Sequence, residues 1–187
     1  MHNSKNKLFF LKEDFDRVKQ IKAEESVKLA LVADMIRFNM TATVAYAKSG
    51  HIGASLSATE MLTVLYHKLM KYDVKNVWKK NRDTFVLSKG HASPGMYAAL
   101  ASVGFFREEE LTKFRRYGGP QGHVDITVPG VDANTGSLGM GIAKAKGHAY
   151  VSKMNGYGSS AYVMVGDGEL QEGQNWESIQ SAAHMKL

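Results

Sequence analysis

The apolar run Tyr162-Val163-Met164-Val165, closed at once by Gly166-Asp167-Gly168, constrains this chain more than any other stretch. A short, partly β-branched run ending abruptly in glycine reads as a buried strand of a parallel sheet. In open α/β folds the carboxyl end of such a strand is where ligands bind. Asp167 then stands at that end, and the glycines on either side leave the backbone open to a bulky anion. A carboxylate beside an anion makes chemical sense when a divalent cation lies between them.

The rest of the chain reads as helices joined by loops rich in Gly and His. Ile21, Val27, Leu29, Leu31, Ile36 and Val44 predict a helix from about Lys19 to Lys48. Ser57-Ala58-Thr59-Glu60 has the form of a capping box, so a helix is expected to start at Ser57. Ser93 and Pro94 fit the N-cap and first position of a helix running to Val103, with Gly104 beyond its end. Glu108 to Arg116 places acids first and bases last, as a helix dipole favours. Residues from Gly118 to Gly136 form a long loop, and loops of that length in compact domains are usually functional or disordered. A helix rich in small residues is expected over Leu138 to Met154, ended by Asn155-Gly156, and a last one over Gln174 to Met185. Only Thr84–Leu87 and Ala161–Val165 read as strands. The expected fold class is therefore α/β, a parallel sheet flanked by helices, helix-rich and incomplete at its C-terminal end.

With 187 residues, 44% of them hydrophobic, the chain can bury a core and reads as one domain over 1–187. The net charge of +6 is interleaved with acids, and only Lys79-Lys80-Asn81-Arg82 and Arg115-Arg116 approach a basic stripe. That argues against a nucleic-acid partner and leaves a mild attraction for anionic substrates. There is no cysteine, hence no disulfide framework or thiolate zinc site. Leu8-Phe9-Phe10-Leu11 is too short for a secretion signal, and no apolar run approaches membrane-spanning length. The expected location is the cytoplasm.

A second signal is the recurrence of Gly-His on loops, at Gly50-His51, Gly90-His91 and Gly122-His123. Each glycine frees the backbone beside an imidazole that can donate to anions, polarise hydroxyls or move protons near neutral pH. One such pair is ordinary surface chemistry, but three on loops point to a site. A three-histidine zinc centre is the chemical rival, although it does not account for the Gly-Asp-Gly strand end.

Taken in order, these segments resemble the thiamine-diphosphate-binding half of transketolase. The likeness is carried by Ser49-Gly50-His51-Ile52-Gly53-Ala54-Ser55, Leu87-Ser88-Lys89-Gly90-His91-Ala92 and Gly122-His123. It continues through Thr135-Gly136-Ser137-Leu138-Gly139-Met140-Gly141 and Gly166-Asp167-Gly168-Glu169-Leu170-Gln171-Glu172-Gly173, and spans about Lys22 to Leu187. The resemblance implies thiamine diphosphate as cofactor, with Mg2+ (or Ca2+ or Mn2+) held by Asp167. Gly166 and Gly168 would lie against the diphosphate. His91 matches a histidine that contacts the diphosphate and faces the substrate, while His51 and His123 match histidines that hold the sugar near the thiazolium. Gly136 and Leu138 match the turn beside the cofactor rings, and Glu172 an acidic residue at the subunit contact. Read without the resemblance, Glu172 is a capping residue ahead of the last helix.

The implied reaction moves a two-carbon ketol unit from a ketose phosphate to an aldose phosphate, as in pentose phosphate metabolism. The implied partner is a pyrimidine-binding transketolase subunit or domain, in a homodimer or heterotetramer. Two features depart from the family. Ile52 replaces a common proline, and the second metal ligand, an asparagine, would fall beyond Leu187. Asn175 is nearer but reads as a polar surface residue on the last helix. The residues also suit another thiamine enzyme, such as a 2-oxoacid dehydrogenase α-subunit or a deoxyxylulose-phosphate synthase. A third reading is a non-catalytic truncated or regulatory fragment. The three Gly-His loops favour sugar transfer.

Overall fold

A computed structural model describes residues 8–187 and pairs the two apolar runs as parallel strands. In chain order the elements begin with α1 (Lys12–Gln20), α2 (Glu25–Ala47), α3 (Ile52–Leu56) and α4 (Thr59–Val64), which a π-helical turn extends over Leu65–Leu69. Next come β1 (Thr84–Leu87) and α5 (Ser93–Ser102). The chain continues through α6 (Gly141–Asn155), β2 (Ala161–Met164) and α7 (Gly173–His184). The register sets Phe85 beside Tyr162 and Leu87 beside Met164. Strand alternation puts these four on one face, where they join the main hydrophobic core.

That core is built around α5, of which every residue is buried. Tyr97 and Leu100 pack with Ile36 and Met40 of α2, Leu62 of α4, and Phe15 of α1. Small side chains along Ser93–Ser102 let α2, α3 and α4 approach the helix closely. Gly95 faces Ser55, and a Cβ on it would stand 3.1 Å from the Ser55 carbonyl oxygen. On the strands themselves α6 packs across both β1 and β2 and also meets α7.

Several expected helix boundaries move. The helix expected from about Lys19 to Lys48 is α2 and starts later, at Glu25, because the chain turns at Ile21–Glu24 after α1 ends at Gln20. Asn39 of α2 ties the residue ahead of α1 to α2. Its side chain accepts a hydrogen bond from the Phe10 N–H and donates one to the Phe10 carbonyl, each at 2.8 Å, drawing the start of α1 back along α2. The capping box expected at Ser57 is not made, and α4 starts at Thr59. Ser57 Oγ instead bonds Ala54 and Lys89, and Glu60 pairs with Arg37.

Helix α5 begins at Ser93 itself, with Pro94 in its first turn and Ala92 as N-cap. Ser93 Oγ is spent on the Gly122 carbonyl, 2.8 Å away. Glu108–Lys113 is a short 3-10 helix rather than an α-helix reaching Arg116. The small-residue helix starts at Gly141, because the preceding residues are held in a turn against the strand ends, and Gly156 closes it with left-handed φ of 66°. The long loop is as expected, with no regular element between Phe114 and Met140. No helix among the described residues is long and apolar enough to cross a membrane.

Candidate active site

Both strands deliver their next residues to the same place. The Ser88 N–H continues the ladder by donating to the Met164 carbonyl at 2.9 Å. Past it come Lys89, Gly90 and His91, and past Met164 come Val165, Gly166, Asp167 and Gly168. Asp167 opens a 3-10 turn over Gly168–Gln171. Its side chain is exposed and has no hydrogen bond or ion pair among the described residues. Gly168 borders open space, with no atom within 4 Å of where a Cβ would lie. An unpaired carboxylate beside an uncovered backbone supplies part of the donor set that a cation-bridged phosphate needs.

Beneath that turn lies a carboxylate that sequence patterning does not single out. Glu169 is buried at 3% exposure, and its Oε1 accepts the Ser88 hydroxyl at 2.5 Å and the Gly139 N–H at 2.8 Å. Oε2 accepts the Gly166 N–H at 2.9 Å. Lys89 is likewise buried, with Nζ donating to Ser57 Oγ at 2.9 Å and to the Ala54 carbonyl at 3.3 Å. Burial holds its ammonium below the ordinary lysine range, opposed by the charges of Asp167 and Glu169. Asn175 corrects a further expectation. It is fully buried in α7, not on the surface, and its Nδ2 donates to the Glu169 carbonyl at 2.6 Å.

The three histidine loops converge on the same end of the sheet. His51 precedes α3, and Gly50 before it has φ of 143°, with Val44 2.9 Å from where a Cβ would stand. The His51 ring meets the His91 ring edge-on, with centroids 5.1 Å apart and planes at 69°. The His91 pKa lies below the ordinary imidazole value, chiefly through burial, then through His51, Lys89 and His123, with Glu169 opposing. His123 is reached through the long loop. Its carbonyl accepts the Tyr97 hydroxyl at 2.9 Å, and its ring covers Gly136, where a Cβ would approach Cδ2 to 3.2 Å.

Close backbone packing pins this loop to the strand end. Thr135 Oγ1 donates to the Leu87 carbonyl at 2.5 Å, and a Cβ on Gly90 would fall 2.5 Å from the Thr135 carbonyl oxygen. The loop lines an open, polar pocket of 610 Å3 that includes His123, Asp125 and Thr135. A larger cavity of 810 Å3 lies at the opposite, amino ends of the strands, by Thr84, His148 and Ser160, away from His51, His91 and His123.

Leu138 is 39% exposed next to this turn. Glu172 stands at the N-cap position of α7 without a side-chain cap, and its Cβ packs against Gly139. The zinc rival finds no support, since no three His, Cys, Asp or Glu side chains converge for a metal among the described residues. Lys89, Glu169 and Asn175 are the residues that sequence reading missed. Lys89 and Glu169 were signalled only by adjacency to Gly90-His91 and Gly166-Asp167-Gly168, and Asn175 by nothing that marks it as buried, because burial of a polar side chain leaves no pattern along the chain.

A parallel sheet with helices over it, and a glycine-rich, histidine-bearing rim at the strand ends, define an α/β domain with its candidate ligand site at the carboxyl ends of the strands. The family described as transketolase, thiamine diphosphate binding domain, matches residues 29–187, and the chain belongs to this family. It is 40% identical, over 88% of its length, to the 6-deoxy-6-sulfo-D-fructose transketolase subunit SqwG of Clostridium sp., of which it covers 61%. It is 42% identical, over 74% of its length, to an apulose-4-phosphate transketolase subunit of Actinobacillus succinogenes, of which it covers 51%. Among solved structures, transketolase from Leishmania mexicana superposes with a TM-score of 0.76 and 35% identity, over 83% of this chain and 25% of that one. The chain thus spans about half to three-fifths of the subunit relatives it matches and a quarter of the solved transketolase.

Proposed function

We propose that this chain is the cofactor-diphosphate-binding part of a transketolase, acting with a pyrimidine-binding subunit or domain. The observation that carries this reading is the convergence of His51, His91 and His123 on the strand end that bears Asp167. When bound, thiamine diphosphate would supply the nucleophilic carbon and electron sink for cleaving a ketose carbon–carbon bond.

The protein's part is position and charge. Asp167 would ligate Mg2+, and the Gly168 N–H would meet a phosphate oxygen in the space left open beside it. Gly166 would let the backbone of that turn approach the diphosphate, and His91 would contact it from the neighbouring strand end. Gly136 and Leu138 would line the ring side, and Glu172 would face the partner. His51 and His123 hold the sugar hydroxyl and carbonyl. An imidazole whose pKa is depressed, as His91's is, stays neutral near pH 7 and can both accept and return a proton. The substrates would be a ketose and an aldose, phosphorylated or otherwise anionic, in keeping with the net charge of +6. The assembly would be a homodimer or a heterotetramer, and the compartment the cytoplasm.

Reconstitution tests this reading. The chain would be combined with a pyrimidine-binding transketolase subunit, and Mg2+-dependent thiamine diphosphate binding and the products from a ketose and an aldose would be measured. Transfer of a two-carbon unit is the expected result. Decarboxylation of a 2-oxoacid instead would assign another thiamine enzyme, and failure to bind the cofactor in the assembly would make the chain a non-catalytic fragment.

A further inference from the structure

We propose that Glu169 is a positioning residue that locks the two cofactor-facing turns together, an inference that rests on the thiamine diphosphate reading above. Three donors from three separate segments end on its one buried carboxylate. These are the Ser88 hydroxyl after β1, the Gly139 N–H at the end of the long loop, and the Gly166 N–H after β2. Ser88 extends the network, because its oxygen also accepts the Gly141 N–H at 3.0 Å, at the start of α6. The backbone of Glu169 is held in turn by buried Asn175 of α7.

Each of these donors is needed where it stands. Gly139 has φ of 85° and lies against Glu172, so its turn cannot rearrange to find another acceptor without losing that packing. The Gly166 N–H belongs to the Val165–Gly166 peptide, one residue ahead of Asp167, so its acceptor fixes the start of the turn that carries the Asp167 carboxylate. Buried N–H groups deprived of an acceptor are costly, and a carboxylate taking three such donors is among the stronger arrangements available to a buried site. Glu169 does not reach into the open space beside Gly168. It therefore acts through the turns it holds, fixing the rim of the histidine loop relative to the Asp167 turn.

The geometry also separates the consequences of two substitutions. In Glu169→Gln the amide nitrogen must face either the Gly166 N–H or the pair formed by Ser88 and Gly139, so one turn is released while the side-chain volume is kept. In Glu169→Ala all three donors lose their partner.

The test uses the full chain with its pyrimidine-binding partner, with Glu169→Gln as the main variant and Glu169→Ala as the severe one. Amide hydrogen exchange is read at Gly139 and Gly166, with Tyr97 and Leu100 of α5 as internal controls for global stability. Exchange about tenfold faster at either turn amide in Glu169→Gln, with the α5 amides unchanged, is expected. Unchanged exchange at both turn amides overturns the proposal, and so does a rise shared equally by α5. Titration with thiamine diphosphate and Mg2+ is the second readout, with affinity expected to fall by about tenfold or more in Glu169→Gln. Wild-type binding with no loss in the variant also overturns it. Absence of binding in the wild type would instead overturn the cofactor reading, while the exchange data would still decide whether Glu169 locks the turns.

Discussion

The imidazoles of His51 and His91 stand edge to face, 5.1 Å between centroids, although 40 residues separate them in the chain. Two imidazolium charges at that distance repel, and His51 is among the causes that hold the His91 pKa below its ordinary value, after burial. Replacing His51 with Gln removes that repulsion but leaves the burial. The His91 pKa is therefore expected to rise toward the ordinary imidazole value in His51→Gln. An NMR titration of the His91 ring checks this, and an unmoved midpoint would remove the coupling between the two rings.

Asp167 and His123 are expected to fail differently. Asp167→Ala should abolish Mg2+-dependent thiamine diphosphate binding in the assembled enzyme, measured by calorimetry, and unchanged affinity would sink the metal role. His123→Ala should leave the cofactor bound and lower the turnover of sugars by about a hundredfold, the range of one lost acid–base or charge-stabilising group. Equal turnover would take His123 out of the site.

Gly90→Ala tests how the long loop is seated. The new Cβ would meet the Thr135 carbonyl oxygen at 2.5 Å, and that atom is backbone, so it cannot swing away. A cost of about 1–3 kcal/mol is expected from urea unfolding. Wild-type stability would mean that the loop is free to lift.

His67 makes stability depend on pH. Its ring lies in the π-helical turn, with Nε2 2.9 Å from Ser102 Oγ, near Phe15, and burial lowers its pKa from 6.5 to about 4. Lys19 and Lys12 act in the same direction, and Asp16 opposes. Because the folded pKa is the lower one, the unfolded chain takes up this proton first. Stability is complete above pH 6.5 and is lost as pH falls from 6.5 to about 4, by about 3 kcal/mol from this group. Urea unfolding at pH 7 and pH 4.5 should show that loss in the wild type and a smaller one in His67→Gln. Equal losses in both would exclude His67 as the titrating group.

Much of the site was legible because it rests on glycine and histidine, whose local chemistry is read directly from the chain. Both strands, the long loop and the three Gly-His turns follow from that reading. What escaped it were polar side chains whose partners lie far along the chain. Ser57 has the look of an N-cap, but Lys89, 32 residues away, takes its hydroxyl. Asn175 looks like a surface residue of an amphipathic helix, yet it is buried against the Glu169 carbonyl. Asn39 lies within the expected helix, yet its side chain is buried and holds the backbone of Phe10, 29 residues away.

From sequence alone, the apolar runs determined two parallel strands, of which β1 is buried and β2, expected to be buried, is half-buried except at Met164, and the glycines after them determined where backbone could approach an anion. Those outcomes depend on hydrophobic burial and on φ/ψ freedom, which are properties of neighbouring residues. The tertiary structure alone decided which loops meet at the strand ends. It set His51 against His91, laid His123 over Gly136, and gave the Gly166 turn its buried acceptor in Glu169. Such contacts join residues distant in the chain, and a buried donor finds its acceptor only once packing has excluded water from both.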